Sequence, residues 1–353
     1  MIFFLLFIGF IIASNAKVYP QDTFHKGYLS KESTKGVKGL FVVLVLFSHY
    51  AQYVTLDSVW DAPYVALRSH LDQMVVVPFL FYSGYGIMKS IQKKGSDYVK
   101  SIMQKRLPNV WFDFCAAVLC FWVVDLGLGK NYPIKRVLLS LTGWESIGNS
   151  NWYILGMLIL YILTYLAFVF VKTNNLRLGE TIGCSLLTAF TVAIVFLFIK
   201  VGKPQYYYNT LIMFPMGCWY AMFQDKIESF LKNDFRYISA LTIIVCLYCW
   251  SFVKRWEYGI ESYTIWTAMF TALLLLITMK LSFKSNILDW FGEHIFSIYI
   301  LQRIPMMILQ QTGIHESHKY MFLIMSLLLT MVLAMIFEIV IKKIKVRFMR
   351  NIL

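Results

Sequence analysis

Apolar runs of about 16 to 24 residues recur along the chain, and a run of that length is what a helix needs to cross a bilayer. Charged or Gly/Pro/Asn-rich breaks separate them. The pattern predicts spans near 37–55, 71–90, 109–128, 152–171, 181–199, 208–223, 237–253, 262–279, 288–311 and 320–341. Residues 2–13 form a further short run without a positively charged lead or a small-residue cleavage site. It reads as an extra N-terminal span rather than a secretory signal. The expectation is an all-α, polytopic integral membrane protein with ten core transmembrane helices plus that extra span. Residues 1–32 form the N-terminal segment, 33–342 the membrane domain and 343–353 a basic tail.

Composition agrees with this class. Hydrophobic residues make up 59% of the 353 and charged residues 15%, against roughly 25% charged in soluble domains. One soluble core cannot hide so much apolar surface. The formal charge of +14 raises nucleic acid as a partner, but the distribution of the charge removes the need for one. One set of alternate breaks holds Lys17, Lys26, Lys31, Lys35, Lys38, Lys89, Lys93, Lys94, Lys100, Lys105 and Arg106. The same set continues through Lys172, Arg177, Lys226, Lys232, Arg236, Lys280 and Lys284 to Lys342, Lys343, Lys345, Arg347 and Arg350. That is 23 of the 33 basic residues, leaving 10 for the opposite side. The positive-inside rule makes the rich side, with the C-terminus, cytoplasmic, so the excess charge of this multi-pass cell-membrane protein faces membrane lipids at the inner surface. The six cysteines all fall in apolar runs. Cys246 and Cys249 have CxxC spacing but no second Cys or His pair nearby, so they read as small apolar fillers and no metal is predicted.

The opposite breaks are aromatic. They carry Trp60 and Tyr64, then Trp144, Glu145, Asn149, Asn151, Trp152 and Tyr153. Tyr206, Tyr207, Tyr208 and Asn209 follow, and then Trp256, Glu257, Tyr258, Glu261 and Tyr263. Two readings stand: an interfacial aromatic belt, or a carbohydrate-facing mouth in which rings stack on sugars while amides and carboxylates bind hydroxyls.

Candidate chemistry centres on the run KGLFVVLVLFSHY at 38–50. A histidine inside hydrocarbon is costly and by default functional, although a structural bond to a neighbouring helix is the plainer role. Lys38 and His49 are eleven residues apart, about three turns plus 20°, so they share one helix face. The rise of about 16 Å carries His49 from the inner interface to near mid-membrane. An anionic ligand held at the basic surface can then extend a long arm to the imidazole. Lys38 alone is an ordinary snorkelling residue; the pairing at this spacing is what points to function.

The stretch Lys35-Gly36-Val37-Lys38-Gly39-Leu40, running into Ser48-His49-Tyr50, resembles the first core helix of the membrane acyltransferase family 3, whose members O-acylate sugars. The family's hallmark is an arginine, ten residues and a histidine; here Lys38 stands in the arginine's place. Pro78-Phe79-Leu80-Phe81-Tyr82-Ser83-Gly84-Tyr85-Gly86 is similar to its second helix. Lys105-Arg106-Leu107-Pro108 is similar to the basic start of the third. Looser matches are Asn151-Trp152-Tyr153-Ile154-Leu155, Phe214-Pro215-Met216-Gly217, and Phe291-Gly292 with Ser297-Ile298-Tyr299-Ile300-Leu301. There are departures: Lys38 lacks the planar fork of arginine, Gln302 stands where relatives often carry a histidine, and Gln104 and Lys105 thin the arginine pattern.

The resemblance implies transfer of an acyl group, most often acetyl from acetyl-CoA, to a hydroxyl of a cell-surface or lipid-linked saccharide. His49 is then the general base or a transient acyl carrier. Lys38, Lys105 and Arg106 bind the coenzyme phosphates. An orienting carboxylate is sought among Asp72, Asp113, Asp125, Glu293 and Glu338, with Asp113 and Glu293 foremost. Arg303, Glu145 and Trp152 are placed on the acceptor side. Ser83-Gly84-Tyr85-Gly86 is expected to be a close helix-packing point. The rival from another class is a transporter or flippase for lipid-linked sugars, against which stands the lack of paired repeats. A polysaccharide polymerase would need a larger outer loop. Acyl length, acceptor identity and oligomeric state, a homo-oligomer included, are left open.

Overall fold

The computed structural model describes residues 1–350 apart from Asn15, Gln21, Asp22, Lys172, Asn174 and Tyr258, with side chains as far as Arg347. Lys172, Tyr258 and the side chain of Arg350, assigned to a side above, lie outside the described residues.

The first helices are α1 (Ile2–Ser14), α2 (Lys31–Tyr50), the short α3 (Ala62–Leu71), α4 (Val77–Lys94), α5 (Ser96–Ser101) and α6 (Leu107–Gly127). Then come α7 (Ile134–Leu141), α8 (Trp152–Val169), α9 (Leu176–Lys200), α10 (Met213–Leu231), α11 (Asp234–Lys254) and α12 (Ile260–Lys280). The last are α13 (Asn286–Glu293), α14 (Ile295–Leu301), α15 (Arg303–Gln310), α16 (Ile314–Ser317) and α17 (Lys319–Arg350). Among the described residues the fold is all-α apart from one antiparallel ribbon, β1 (Ala16–Val18) with β2 (Leu281–Phe283), in the register Ala16↔Phe283. Seven helical stretches among the described residues are long and apolar enough to cross a membrane: 62–94, 96–127, α8, α9, α11, α12 and 319–347. α1 and residues 295–310 are apolar but shorter.

Local chemistry sets where the helices start. Side-chain oxygens of Ser30, Asn175, Asn233 and Ser285 accept from the backbone N–H three residues on, at 3.1, 3.0, 3.1 and 3.4 Å. Each thereby caps the first turn of α2, α9, α11 or α13. The cap at Ser30 starts α2 six residues before the apolar run predicts, and α2 ends at Tyr50 rather than 55. Lys38 therefore lies about two turns inside the helix, and His49 falls in its last turn. Pro108 withholds the N–H that would bond residue 104. The chain before it widens into a π-helical turn, Ile102–Arg106, where Leu107 N–H donates to Ile102 O. The predicted span 288–311 is broken into α13, α14 and α15, and Pro305 removes the N–H that would have satisfied Leu301 and carried the helix across Gln302.

Among the described residues, the lysine ion pairs between distant segments join stretches that the lysine count puts on the same side. Lys35 meets Glu293 at 2.6 Å, Lys280 meets Asp234 at 3.1 Å and Lys345 meets Asp113 at 2.6 Å, all at the lysine-rich end. At the far end Lys319 reaches Asp57 at 2.9 Å and Asp61 at 2.8 Å. These pairs agree with the grouping of segments read from charge. α2 lies at its centre, with Val42, Leu46 and Tyr50 fully buried, so it can carry lysines that a lipid-facing helix would not. α11 and α17 present Ile238, Ile243, Leu328, Val332 and Ile336 outward, the exterior expected where the solvent is hydrocarbon.

Two crossings bring backbones together. A methyl on Gly39 would lie 1.8 Å from Leu288 O, and one on Gly292 2.1 Å from Lys35 O, locking α2 to α13. Gly84 and Gly217 do the same for α4 and α10, at 2.0 Å from Phe214 O and 2.1 Å from Phe81 O. The expected packing role of the Ser83–Gly86 motif belongs to Gly84; Gly86 has open space where a side chain would go.

Candidate active site

His49 stands in the wall of a cavity of about 970 Å³ built from the far ends of several helices. The last turn of α2 contributes Ser48 and His49, the turn after it Gln52, and α3 contributes Arg68. Asp72 and Gln73 follow from the turn after α3. The rim comes from the loop 146–151, Trp152, Tyr206, Tyr207, Arg255 and Trp256, and the inner wall from Tyr299 and Arg303. Its size is at the upper end of the roughly 300–1,000 Å³ usual for ligand pockets. Of the two readings of the outer aromatics, Trp152, Tyr206, Tyr207 and Trp256 fit a lined mouth. Trp60 instead stacks on Phe3, 5.9 Å away and half exposed, as an interfacial ring does.

The imidazole is 9% exposed. Its Nε2 stands 3.3 Å from Ser150 Oγ, and its Nδ1 has no protein partner. Ser150 is held by the folding of its loop. Ser146 donates to Asn149 O at 2.7 Å, and Asn149 Oδ1 accepts from Ile147 N–H at 3.1 Å. Asn151 Nδ2 donates to the carbonyls of Gly143 and Glu145 at 2.6 and 2.7 Å, and approaches Tyr207 Oη at 3.1 Å. Burial pushes the Tyr207 phenol above its usual range, so it stays a neutral partner. Asp72 is the only non-glycine with positive φ among the described residues, at 40°. That strained corner, held by Tyr263 donating to Oδ2 at 2.9 Å, turns the chain at the cavity edge, where stored strain is common in working sites.

The predicted site residues separate into two groups. His49, Arg303 and Trp152 come together in the cavity, and Asp72 is the one carboxylate of the five weighed that lines it. Lys38, Lys105 and Arg106 do not line it. Lys105 is exposed and Lys38 half-buried. Arg106 donates to Tyr98 Oη at 2.9 Å and lies 4.9 Å over the Tyr161 ring. Two turns along α8 from Tyr161, Tyr153 packs edge-on against the cavity residue Tyr299, centroids 5.2 Å apart. A column of tyrosines thus lies between Arg106 and the His49 chamber.

Glu145 is not in the cavity wall. It sits near Lys203, whose ammonium burial holds below the usual lysine range against the raising effect of Glu145. Lys203 in turn donates to Trp144 O at 2.6 Å. Asp113 and Glu293, foremost as orienting carboxylates, are engaged by Lys345 and Lys35 at the lysine-rich end, because α17 and α2 pass beside them there. Glu338 accepts from Ser297 at 2.7 Å and pairs with His294 at 2.8 Å. Asp125 lies 3.6 Å from Lys130. Asp113→Asn and Glu293→Gln are therefore expected to leave the turnover number within about twofold of wild type. At the half-buried Asp113 the loss of the ion pair costs at most about 1 kcal/mol of stability, and at the exposed Glu293 the melting temperature is expected to stay near wild type. Steady-state kinetics beside thermal melts checks this; a hundredfold loss of turnover in either variant would put that carboxylate back beside the imidazole.

Arg68, Arg255 and Ser150 are functional candidates that sequence reasoning missed. The two arginines are among the ten basic residues of the sparsely charged side, which was the signal available for them. Among the described residues no group of three or more His, Cys, Asp or Glu is placed to hold a metal. No curated protein and no solved structure matches the chain. A family model described as an acyltransferase domain, that of acyltransferase family 3, matches residues 32–342. That stretch holds every residue that lines the His49 cavity, and by this match the chain belongs to the acyltransferase family 3 of membrane acyltransferases.

Proposed function

We propose that the protein moves an acyl group, in the first place acetyl, from cytoplasmic acyl-CoA to a hydroxyl of a saccharide that enters the His49 cavity from the opposite face. The observation that carries this reading is an imidazole nitrogen left without a protein partner in the wall of a large, aromatic-rimmed polar chamber. A buried polar atom is normally satisfied, so Nδ1 is free for a substrate proton. In the reaction the acceptor hydroxyl loses its proton to the imidazole as its oxygen attacks the thioester carbonyl. The C–S bond breaks, the new ester C–O bond remains on the sugar, and the thiolate takes the proton from the imidazolium to leave as free coenzyme A. Ser150, on the other ring nitrogen, fixes the orientation of the ring.

Donor and acceptor reach His49 from opposite ends. Arg106 and Lys105, with Lys38, stand where the coenzyme phosphates would meet the membrane, and the tyrosine column from Tyr161 to Tyr299 marks the path of the pantetheine arm. Purified protein given acetyl-labelled acetyl-CoA is expected to release free coenzyme A and to place label on a saccharide. Cells lacking the protein are expected to show a surface or lipid-linked glycan lighter by the mass of an acetyl ester. Unchanged glycans together with no coenzyme A release would leave this reading without support.

A further inference from the structure

Arg68, Arg255 and Arg303 all line the His49 cavity, which holds one carboxylate, Asp72. Asp72 is already engaged by the Tyr263 hydroxyl. Among the described residues no carboxylate comes within ion-pair distance of any of these three guanidinium groups. The contrast with Lys35, Lys280, Lys319 and Lys345, each paired with an acid, is chemical. Arg303 has a buried Nε without a partner and lies 5.7 Å over the Tyr53 ring. Arg255 is held by donating to Phe252 O and by stacking 3.8 Å over the Phe252 ring. Unpaired guanidinium groups are costly away from bulk water, a cost that falls on the partly buried Arg255 and Arg303 rather than on the exposed Arg68. The planar fork of all three matches carboxylate and phosphate oxygens two at a time.

We propose that the acceptor is an anionic saccharide, whose carboxylate or phosphate is gripped by Arg68, Arg255 and Arg303 while one of its hydroxyls lies at His49. This rests on the reading of the cavity as the acceptor site. It narrows the substrate class to uronic-type or other acidic sugars on one hand and sugar phosphates, lipid-linked ones included, on the other. The rings of Trp152, Tyr206 and Trp256 supply stacking faces, and Gln52, Gln73 and Gln205 supply neutral partners for hydroxyls. The phosphates of the coenzyme do not fill the role, because the chamber is built from the far ends of the helices while Lys105 and Arg106 stand at the lysine-rich end.

The test is equilibrium binding to the purified protein in lipid nanodiscs. Methyl glucoside, methyl glucuronide and glucose 1-phosphate serve as the neutral, carboxylate and phosphate probes. At least one anionic probe is expected to bind tenfold or more tightly than the neutral sugar, and the preferred one names the anion. Arg303→Gln and, on the exposed face of α3 where folding is not at risk, Arg68→Gln are each expected to weaken that probe roughly ten- to hundredfold, as loss of a charge-assisted contact does. Binding of methyl glucoside is expected to be unchanged in both variants, and Arg303→Lys to recover part of the loss. Equal binding of all three sugars, variants that leave the anion preference intact, or displacement of the anion by adenosine 3′,5′-bisphosphate would each overturn the proposal. The two readings separate cleanly. Selective anion binding without acyl transfer refutes the transferase reading alone, and transfer to neutral sugars with equal efficiency refutes the anionic acceptor alone.

Discussion

Replacing His49 with alanine is expected to reduce acyl transfer by roughly 10²- to 10⁴-fold, the range over which a positioned general base contributes, while the protein is recovered folded in normal amounts. Both halves follow from the surroundings of the ring. Among the described residues the one protein group at hydrogen-bond distance of the ring is Ser150, at a long 3.3 Å, and the ring borders a chamber that is already open. Truncation therefore enlarges an existing polar space rather than leaving a void in a packed core. The loss of one weak hydrogen bond is worth about 0.5–1.5 kcal/mol. His49→Gln sharpens the test, because an amide keeps a polar group towards Ser150 but cannot take up a proton at neutral pH. If the ring is structural, glutamine rescues and alanine lowers yield and melting temperature together. If it is the base, both variants are equally dead and both melt near wild type. Turnover within tenfold of wild type in a well-folded His49→Gln protein would remove the imidazole from the chemistry.

The helix that carries this ring shows how far the chain can be read without coordinates. The shared stripe of Lys38 and His49 depends only on residue spacing, and α2 is one continuous helix through both. The start of that helix was misplaced because hydropathy does not count Lys31, Glu32 and Lys35. The cap at Ser30 was present in the sequence but carries weight only when helix starts are sought by chemistry rather than by apolarity. Pro305 likewise marked the break in the run 288–311. Composition of a run also failed to tell which helices face lipid: α2 tolerates its charges because other helices surround it.

The candidate site was legible where rare polar groups interrupt apolar runs, as at His49 and Arg303. It was not legible where distant segments converge. Arg68, Ser150 and Arg255 are far apart in sequence and share no periodicity. Only the turn at Asp72, the loop tied down by Asn149 and Asn151, and the end of α11 bring them to one chamber. The carboxylates failed for the same reason. Which helix passes beside Asp113 or Glu293 is a property of packing, and the neighbours proved to be Lys345 and Lys35.

Gly84→Ala is expected to be among the most damaging small substitutions in the molecule, and Gly86→Ala, two residues away in the same motif, among the most benign. A methyl on Gly84 meets Phe214 O at 2.0 Å and the Phe214 carbonyl carbon at 2.9 Å. Both are backbone atoms of α10, so no rotamer change relieves the clash and the two helices must separate. Overpacking of a core costs typically about 1–3 kcal/mol, and a backbone-on-backbone collision lies at or beyond the top of that range. At Gly86 the new methyl meets nothing, and alanine is intrinsically the better helix former by about 1 kcal/mol. Melting of the detergent-purified variants, followed by loss of the monodisperse peak on heating, should show a large fall for Gly84→Ala and no fall for Gly86→Ala. Because Gly217 approaches Phe81 O in the same crossing, the double variant Gly84→Ala/Gly217→Ala is expected to lose less than the sum of the two singles, since the first methyl already makes the separation that the second needs. Equal melting of Gly84→Ala and Gly86→Ala would mean that α4 and α10 do not cross this closely. The transfer reaction should fall in step with the folded fraction of Gly84→Ala rather than beyond it, because the crossing holds the bundle together and takes no part in the cavity around His49.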